Sequence, residues 1–192
     1  MEERTIYKKG KITARPGTPT APSVQGPGTY PLALRKGRDG LLYIPSGWQP
    51  EVPAPLAVLL HGAGGLSAHG LAILRKQADK NGIILLAPDS AKGSWDIVYG
   101  SGFGHDVLFL NQALEELFSH YSIRPDKIAV GGFSDGASYA LSLGLINGDL
   151  FTHILAFSPG FMEAPDPAGK PAIYISHGTE DSILPIDPCS RK

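Results

Sequence analysis

Gly132-Phe133-Ser134-Asp135-Gly136 lies between two segments of different character. The apolar run Lys127 to Gly131 before it reads as a strand, and the small and apolar residues Ala137 to Leu145 after it read as a helix. A G-x-S-x-G at such a junction forces a tight, strained turn. Its glycines remove the side chains that would collide there. The serine hydroxyl is then held at the tip of a sheet, facing the positive end of the following helix.

A second turn of this kind precedes it. His61-Gly62-Ala63-Gly64-Gly65 follows Pro55 to Leu60, a continuous apolar run suited to a strand buried on both faces of a parallel sheet. An H-G-x-G-G turn is the type that supplies half of an oxyanion hole. Ala63 would donate one backbone N–H, and Asp135, the residue after Ser134, the other.

The rest of the chain alternates strand and helix. Thr29 to Leu34 and Gly40 to Ile44 bracket Lys36-Gly37-Arg38-Asp39-Gly40, which predicts a hairpin of two antiparallel edge strands. Leu71 to Lys80 is a helix, Ile83 to Ala87 a strand, and Asp106 to His120 a helix with Val107, Leu110, Leu114, Leu117 and Phe118 on one face. Strands His153 to Ser158 and Ala172 to Ser176 follow the Ser134 helix. This alternation predicts an α/β fold with a mostly parallel sheet, and ligands at the carboxyl ends of its strands. Residues 1–28, rich in Pro, Gly and Thr, read as a flexible arm that buries little, and residues 29–192 as a single domain.

The last strand runs into His177-Gly178-Thr179-Glu180-Asp181. With three motifs in this order the chain resembles the serine esterases of the α/β-hydrolase superfamily, most closely the phospholipase/carboxylesterase-like group. The resemblance covers about Thr29 to Asp187. It implies the α/β-hydrolase fold, with helices on both sheet faces and an N-terminal antiparallel hairpin. Ser134 would be the nucleophile and Asp181 the acid of a triad that hydrolyses esters through an acyl-enzyme, with no cofactor. That family carries its catalytic histidine later, on a loop after one more helix and strand. No histidine follows His177 here, so the domain reads as incomplete at its C-terminus and the base is open. Of His61, His69, His105, His120, His153 and His177, only His105 lies on a flexible stretch at the expected active-site edge. His61 is expected to brace the oxyanion turn.

Trp95, Phe161 and Met162 fall on loops at that edge and are expected to line the substrate pocket, with a core-capping role as the alternative. No long insertion would form a lid, so short- to medium-chain carboxylic esters are the expected substrates. Two rivals remain: a non-catalytic binding protein on the same fold, favoured by the missing base, and a serine peptidase of the same superfamily.

Composition narrows the partners. Across 192 residues the net charge is −1, with 42% hydrophobic residues and one cysteine. The absence of a basic block argues against nucleic acid and anionic membranes. Strand-sized apolar runs argue against a membrane span. The charged Met1-Glu2-Glu3-Arg4 lacks the apolar run of a signal peptide, and a lone cysteine fits a reducing cytoplasm. No metal-ligand spacing is present.

Overall fold

The computed structural model describes residues 7–23, 25–100 and 102–190. Met1 to Arg4, on which the signal-peptide expectation falls, lie outside them. Seven strands form one sheet: β1 (Gly28–Pro31), β2 (Gly40–Ile44), β3 (Ala54–Leu60), β4 (Ile84–Pro88), β5 (Ile123–Phe133), β6 (His153–Phe157) and β7 (Ala172–Ser176). Their order is β1-β2-β4-β3-β5-β6-β7. The first two pairings, β1 with β2 and β2 with β4, are antiparallel, and the rest are parallel. Among the described residues, α1 (Ser67–Asn81), α2 (His105–His120) and α3 (Asp135–Ile146) connect strands, and the short α4 (Ile186–Ser190) follows β7.

The expected hairpin forms, but only β1 is an edge strand. Leu42 of β2 stands opposite Leu86 of β4, and Leu42, Tyr43 and Ile44 are all buried. Helix α1 begins earlier than its apolar pattern suggests, at Ser67, whose N–H is held by the Asp89 carboxylate at 2.5 Å.

Strand alternation divides the core into two layers. Leu56, Val58 and Leu60 of β3 point into the larger one, with Val107, Leu110 and Leu114 of α2 and Tyr139, Ala140 and Leu143 of α3. Ala57 and Leu59 point the other way, to Leu71 and Ala78 of α1. The chain steps from β3 outward to β4, then returns to the other side of β3 to form β5. The crevice at the carboxyl ends of β3 and β5 is therefore the topological switch point, where open α/β sheets bind ligands.

The expectation that the first 28 residues bury little fails for residues 7–14. Tyr7, Ile12 and Ala14 are buried in the larger core layer. Two buried asparagines hold this segment. The Asn111 Oδ1 accepts from the Thr13 and Ala14 amides at 2.7 and 2.9 Å, and the Asn147 Oδ1 accepts from the Ile12 amide at 2.8 Å. Side-chain amides here satisfy a backbone that has no strand neighbour. Asn111→Ala strands two amides and is expected to destabilise the fold by about 2–3 kcal/mol. A lowered urea midpoint, with earlier proteolysis between residues 7 and 20, checks it.

At the far edge, β7 pairs only with β6, and all five of its residues are exposed. Ile173, Tyr174 and Ile175 leave apolar surface open on both faces, in a strand type normally covered on both. Among the described residues no helix is long and apolar enough to cross a membrane.

Candidate active site

Ser134 joins β5 to α3 with φ 56° and ψ −121°, a left-handed backbone that a serine adopts only when its surroundings impose it. Those surroundings are visible at the flanking glycines. A Cβ on Gly132 would lie 2.7 Å from the Leu60 carbonyl oxygen, and one on Gly136 would lie 2.5 Å from the His61 carbonyl oxygen. The spacing G-x-S-x-G thus records how closely the turn is pressed against the end of β3. The Ser134 N–H is anchored to the Phe157 carbonyl at 2.9 Å, and its own carbonyl accepts from the Ala137 and Ser138 amides as α3 begins.

The His61–Gly65 turn leaves β3 beside this junction. A Cβ on Gly62 would sit 3.4 Å from the Ser134 Cβ. The Gly64 N–H is taken by the Gly93 carbonyl at 2.6 Å, while neither the Ala63 nor the Asp135 N–H meets a backbone acceptor among the described residues. His61 is buried and braces the turn: its Nε2 accepts from the Ser90 amide at 3.0 Å, which leaves Nδ1 to donate to the Gly62 carbonyl at 2.7 Å. Burial lowers its pKa, and the nearby Arg38 guanidinium adds to that. Arg38 itself donates to the Gly65 and Ser90 carbonyls, both at 2.7 Å.

Asp181 occupies the same edge two strands away. Ser134 is tied to the end of β6, and Ser158, just past β6, donates its N–H to the Ser176 carbonyl of β7 at 2.8 Å. With strands about 4.8 Å apart, the ends of β5 and β7 are separated by about 10 Å. The Asp181 Oδ1 accepts from the Leu184 and Ile183 amides at 2.9 and 3.0 Å, which lowers its pKa. His177 is pinned inside this loop, Nε2 donating to the Leu184 carbonyl at 2.6 Å and Nδ1 meeting the Ser190 hydroxyl at 2.7 Å.

No histidine among the described residues bonds the Ser134 hydroxyl. His105 is exposed at the start of α2 and lines a cavity of about 510 Å³ with Tyr7, Lys8, Asp96 and Phe103. His69 caps the start of α1 by accepting from the Leu66 amide. His120 ends α2, and His153 opens β6 at the opposite edge from Ser134.

Of the three residues expected in the pocket, Trp95 is in the core instead. It is 1% exposed, stacks on Tyr139 at 5.1 Å and donates Nε1 to the His61 carbonyl at 2.9 Å. An indole with its N–H satisfied and both faces packed supports the site from beneath. Phe161 and Met162 are exposed, on a loop whose Gly160 amide donates to the Ser138 hydroxyl at 2.9 Å, one helical turn beyond Ser134.

Two supporting groups escaped the sequence reading. Ser94, 5% exposed, donates its hydroxyl to the Asp135 carboxylate at 2.5 Å. Asp106, in the first turn of α2, accepts from the Ala91 and Asp96 amides at 2.6 and 2.9 Å. An acid in the first turn of a helix signals only a dipole effect, so nothing in the sequence marked it. Among the described residues no group of three or more His, Cys, Asp or Glu side chains gathers as a metal requires.

Burial pushes the Asp106 carboxyl up to about 6, with Asp96 adding to the rise and Arg35 opposing it. Tyr139 also lies in its field. A raised carboxyl binds its proton more tightly in the folded chain. Its contribution to stability is therefore full below pH 4 and lost as pH rises to about 6, on the order of 3 kcal/mol. His61, with its lowered pKa, acts oppositely below pH 6.5. The stability difference between wild type and Asp106→Asn is therefore expected to shift by that order between pH 4.5 and 7, measured by urea unfolding at each pH.

The folding pattern has counterparts among known proteins. The sequence model of the phospholipase/carboxylesterase family matches residues 101–191. Acetyl xylan esterase from Aspergillus awamori superposes with a TM-score of 0.64 at 16% identity, covering 82% of this chain and 74% of that one. The chain has the α/β-hydrolase fold. A ferulic acid esterase from Anaeromyces mucronatus, solved with ferulic acid, superposes on this chain with a TM-score of 0.56 at 20% identity, covering 93% of this chain and 83% of that one. In sequence, feruloyl esterase C of Emericella nidulans is 27% identical over 160 residues, 79% of this chain. The chain spans 57% of the length of that curated relative. Its similarity thus falls among proteins named as esterases.

Proposed function

We propose that this α/β-hydrolase domain is the body of a serine carboxylesterase that works through an acyl-enzyme. One observation carries the reading: Ser134 is held at φ 56° where β5 meets α3, beside a turn whose Ala63 amide, like that of Asp135, meets no backbone acceptor among the described residues. The Ser134 Oγ attacks the ester carbonyl carbon as its proton passes to a base. The carbonyl electron pair moves onto oxygen, which the Ala63 and Asp135 N–H groups receive. One such donor is worth about 2.7–4 kcal/mol. Collapse re-forms the carbonyl and expels the alcohol, which takes the proton, and water then releases the acid by the same steps.

Asp181 is the group that orients the base, an imidazole between it and Ser134. None of the described histidines reaches that position, and the residues outside those described include no histidine, so the imidazole would have to come from another segment. The open faces of β7, beside the Asp181 loop, offer a place for such a segment. Phe161 and Met162 contact the acyl group. Relatives named for feruloyl and acetyl xylan esters support small acyl groups on carbohydrate alcohols within the short- to medium-chain class.

A second reading, a binding protein without turnover, draws on the absence of an imidazole at Ser134. A fluorophosphonate probe separates the two. Slow incorporation mapped to Ser134 by mass spectrometry is expected; label on another serine with none on Ser134 would sink the esterase reading.

A further inference from the structure

Three consecutive residues touch both halves of the candidate oxyanion hole. The Gly93 carbonyl accepts from the Gly64 amide at 2.6 Å, and the Trp95 indole donates to the His61 carbonyl at 2.9 Å. These anchors lie on either side of Ala63. Between them, the Ser94 hydroxyl donates to the Asp135 carboxylate at 2.5 Å. The segment is fixed in turn from below. Asp106 accepts from the amides of Ala91 and Asp96, one at each end, and Trp95 stacks on Tyr139 of α3.

We propose that Gly93–Trp95 is a brace that sets the separation and aim of the two oxyanion donors, and that Ser94 is a positioning residue for ester chemistry. The proposal rests on the acyl-enzyme reading. Pairing of Leu60 with Gly132 already fixes the coarse register of the two turns. A hole works only when both donors lie 2.7–3.1 Å from the developing oxyanion, which the ladder alone, ending before either donor, does not enforce. A chain of three residues spans at most about 10 Å, so it couples the two sides tightly. Ser94 has a second effect. Asp135 must offer its amide to a growing negative charge while carrying a carboxylate of its own, and the bond to Ser94 fixes that carboxylate. Released, it can rotate and oppose the oxyanion.

The phosphoryl oxygen of a fluorophosphonate uses the same hole, so labelling of Ser134 reports on it. The full chain, Ser94→Ala, Ser94→Thr and Trp95→Phe are compared by the saturation rate kinact and the half-saturation KI, after circular dichroism and thermal unfolding establish which variants fold. Ser94→Ala is expected to lower kinact about tenfold or more with KI nearly unchanged, because misplacement of about 1 Å can cost 10²-fold. Ser94→Thr, which keeps the hydroxyl, recovers most of the rate. Trp95→Phe keeps the stack but loses the indole N–H, and is expected to lower kinact as Ser94→Ala does. Unchanged kinact in folded Ser94→Ala overturns the brace, as does a folded Ser94→Thr no faster than Ser94→Ala. If threonine prevents folding, Trp95→Phe decides by the same criterion. A wild-type chain unlabelled at Ser134 overturns the esterase reading itself, and the brace with it.

Discussion

Gly136→Ala is expected to collapse the carboxyl edge of the sheet, with a loss on the order of 4–5 kcal/mol out of a total that rarely exceeds about 15. Two effects compete. Gly136 lies in the first turn of α3, where alanine favours helix by about 1 kcal/mol. Its added Cβ, however, would press on the Leu60 and His61 carbonyls. Those atoms are backbone at and just past the end of β3, where Leu60 pairs with Gly132 of β5. They cannot turn aside as a side chain would, so the clash wins. Gly47→Ala is the control, since its Cβ meets nothing within 4 Å. Thermal unfolding of both variants checks the prediction; a Gly136→Ala protein as stable as wild type would mean that the turn and the end of β3 are not in contact.

The same contact explains why the Gly132–Gly136 turn is legible in the sequence. Glycines that relieve backbone clashes must stand at fixed offsets from Ser134, so the constraint is written locally. The His61–Gly65 turn and the Asp181 loop are legible for the same reason, each set by a few adjacent residues. Trp95 was not. Whether a loop indole faces solvent or the core depends on Tyr139, which lies on another element and is brought beneath it only by folding. The docking of residues 7–14 was hidden because Pro, Gly and Thr composition predicts poor burial. The groups that reverse it, Asn111 and Asn147, are polar residues on elements of their own. Exposure of β7 was equally hidden: Ala172-Ile173-Tyr174-Ile175 reads as a strand whether or not anything covers it. Local rules therefore place the candidate groups, while the proposed brace and its anchor Asp106 rest on packing.

Turnover of p-nitrophenyl acetate by the 192-residue chain is expected to be faint. The proposed nucleophile and oxyanion donors can be assembled without a base, but a serine hydroxyl is weak until its proton is taken. In a studied serine hydrolase, removing the histidine alone costs about 10⁶ in kcat, while the oxyanion hole and binding alone still leave about 10³–10⁴ over water. The structure explains why no resident histidine substitutes. His61 is buried and both of its nitrogens are engaged, and His177 is pinned between Leu184 and Ser190. His105 lines a separate cavity under the docked N-terminal segment. Robust turnover would contradict this assignment. Ser134→Ala must then abolish it, and His105→Ala becomes the deciding variant: loss of activity in a folded protein would make His105 the base through a movement of the loop before α2. The expected result is instead that His105→Ala changes nothing. On that expectation, faint turnover rises toward ordinary esterase rates only when a segment carrying an imidazole is supplied beside Asp181, tested by titrating candidate segments and following Ser134-dependent hydrolysis.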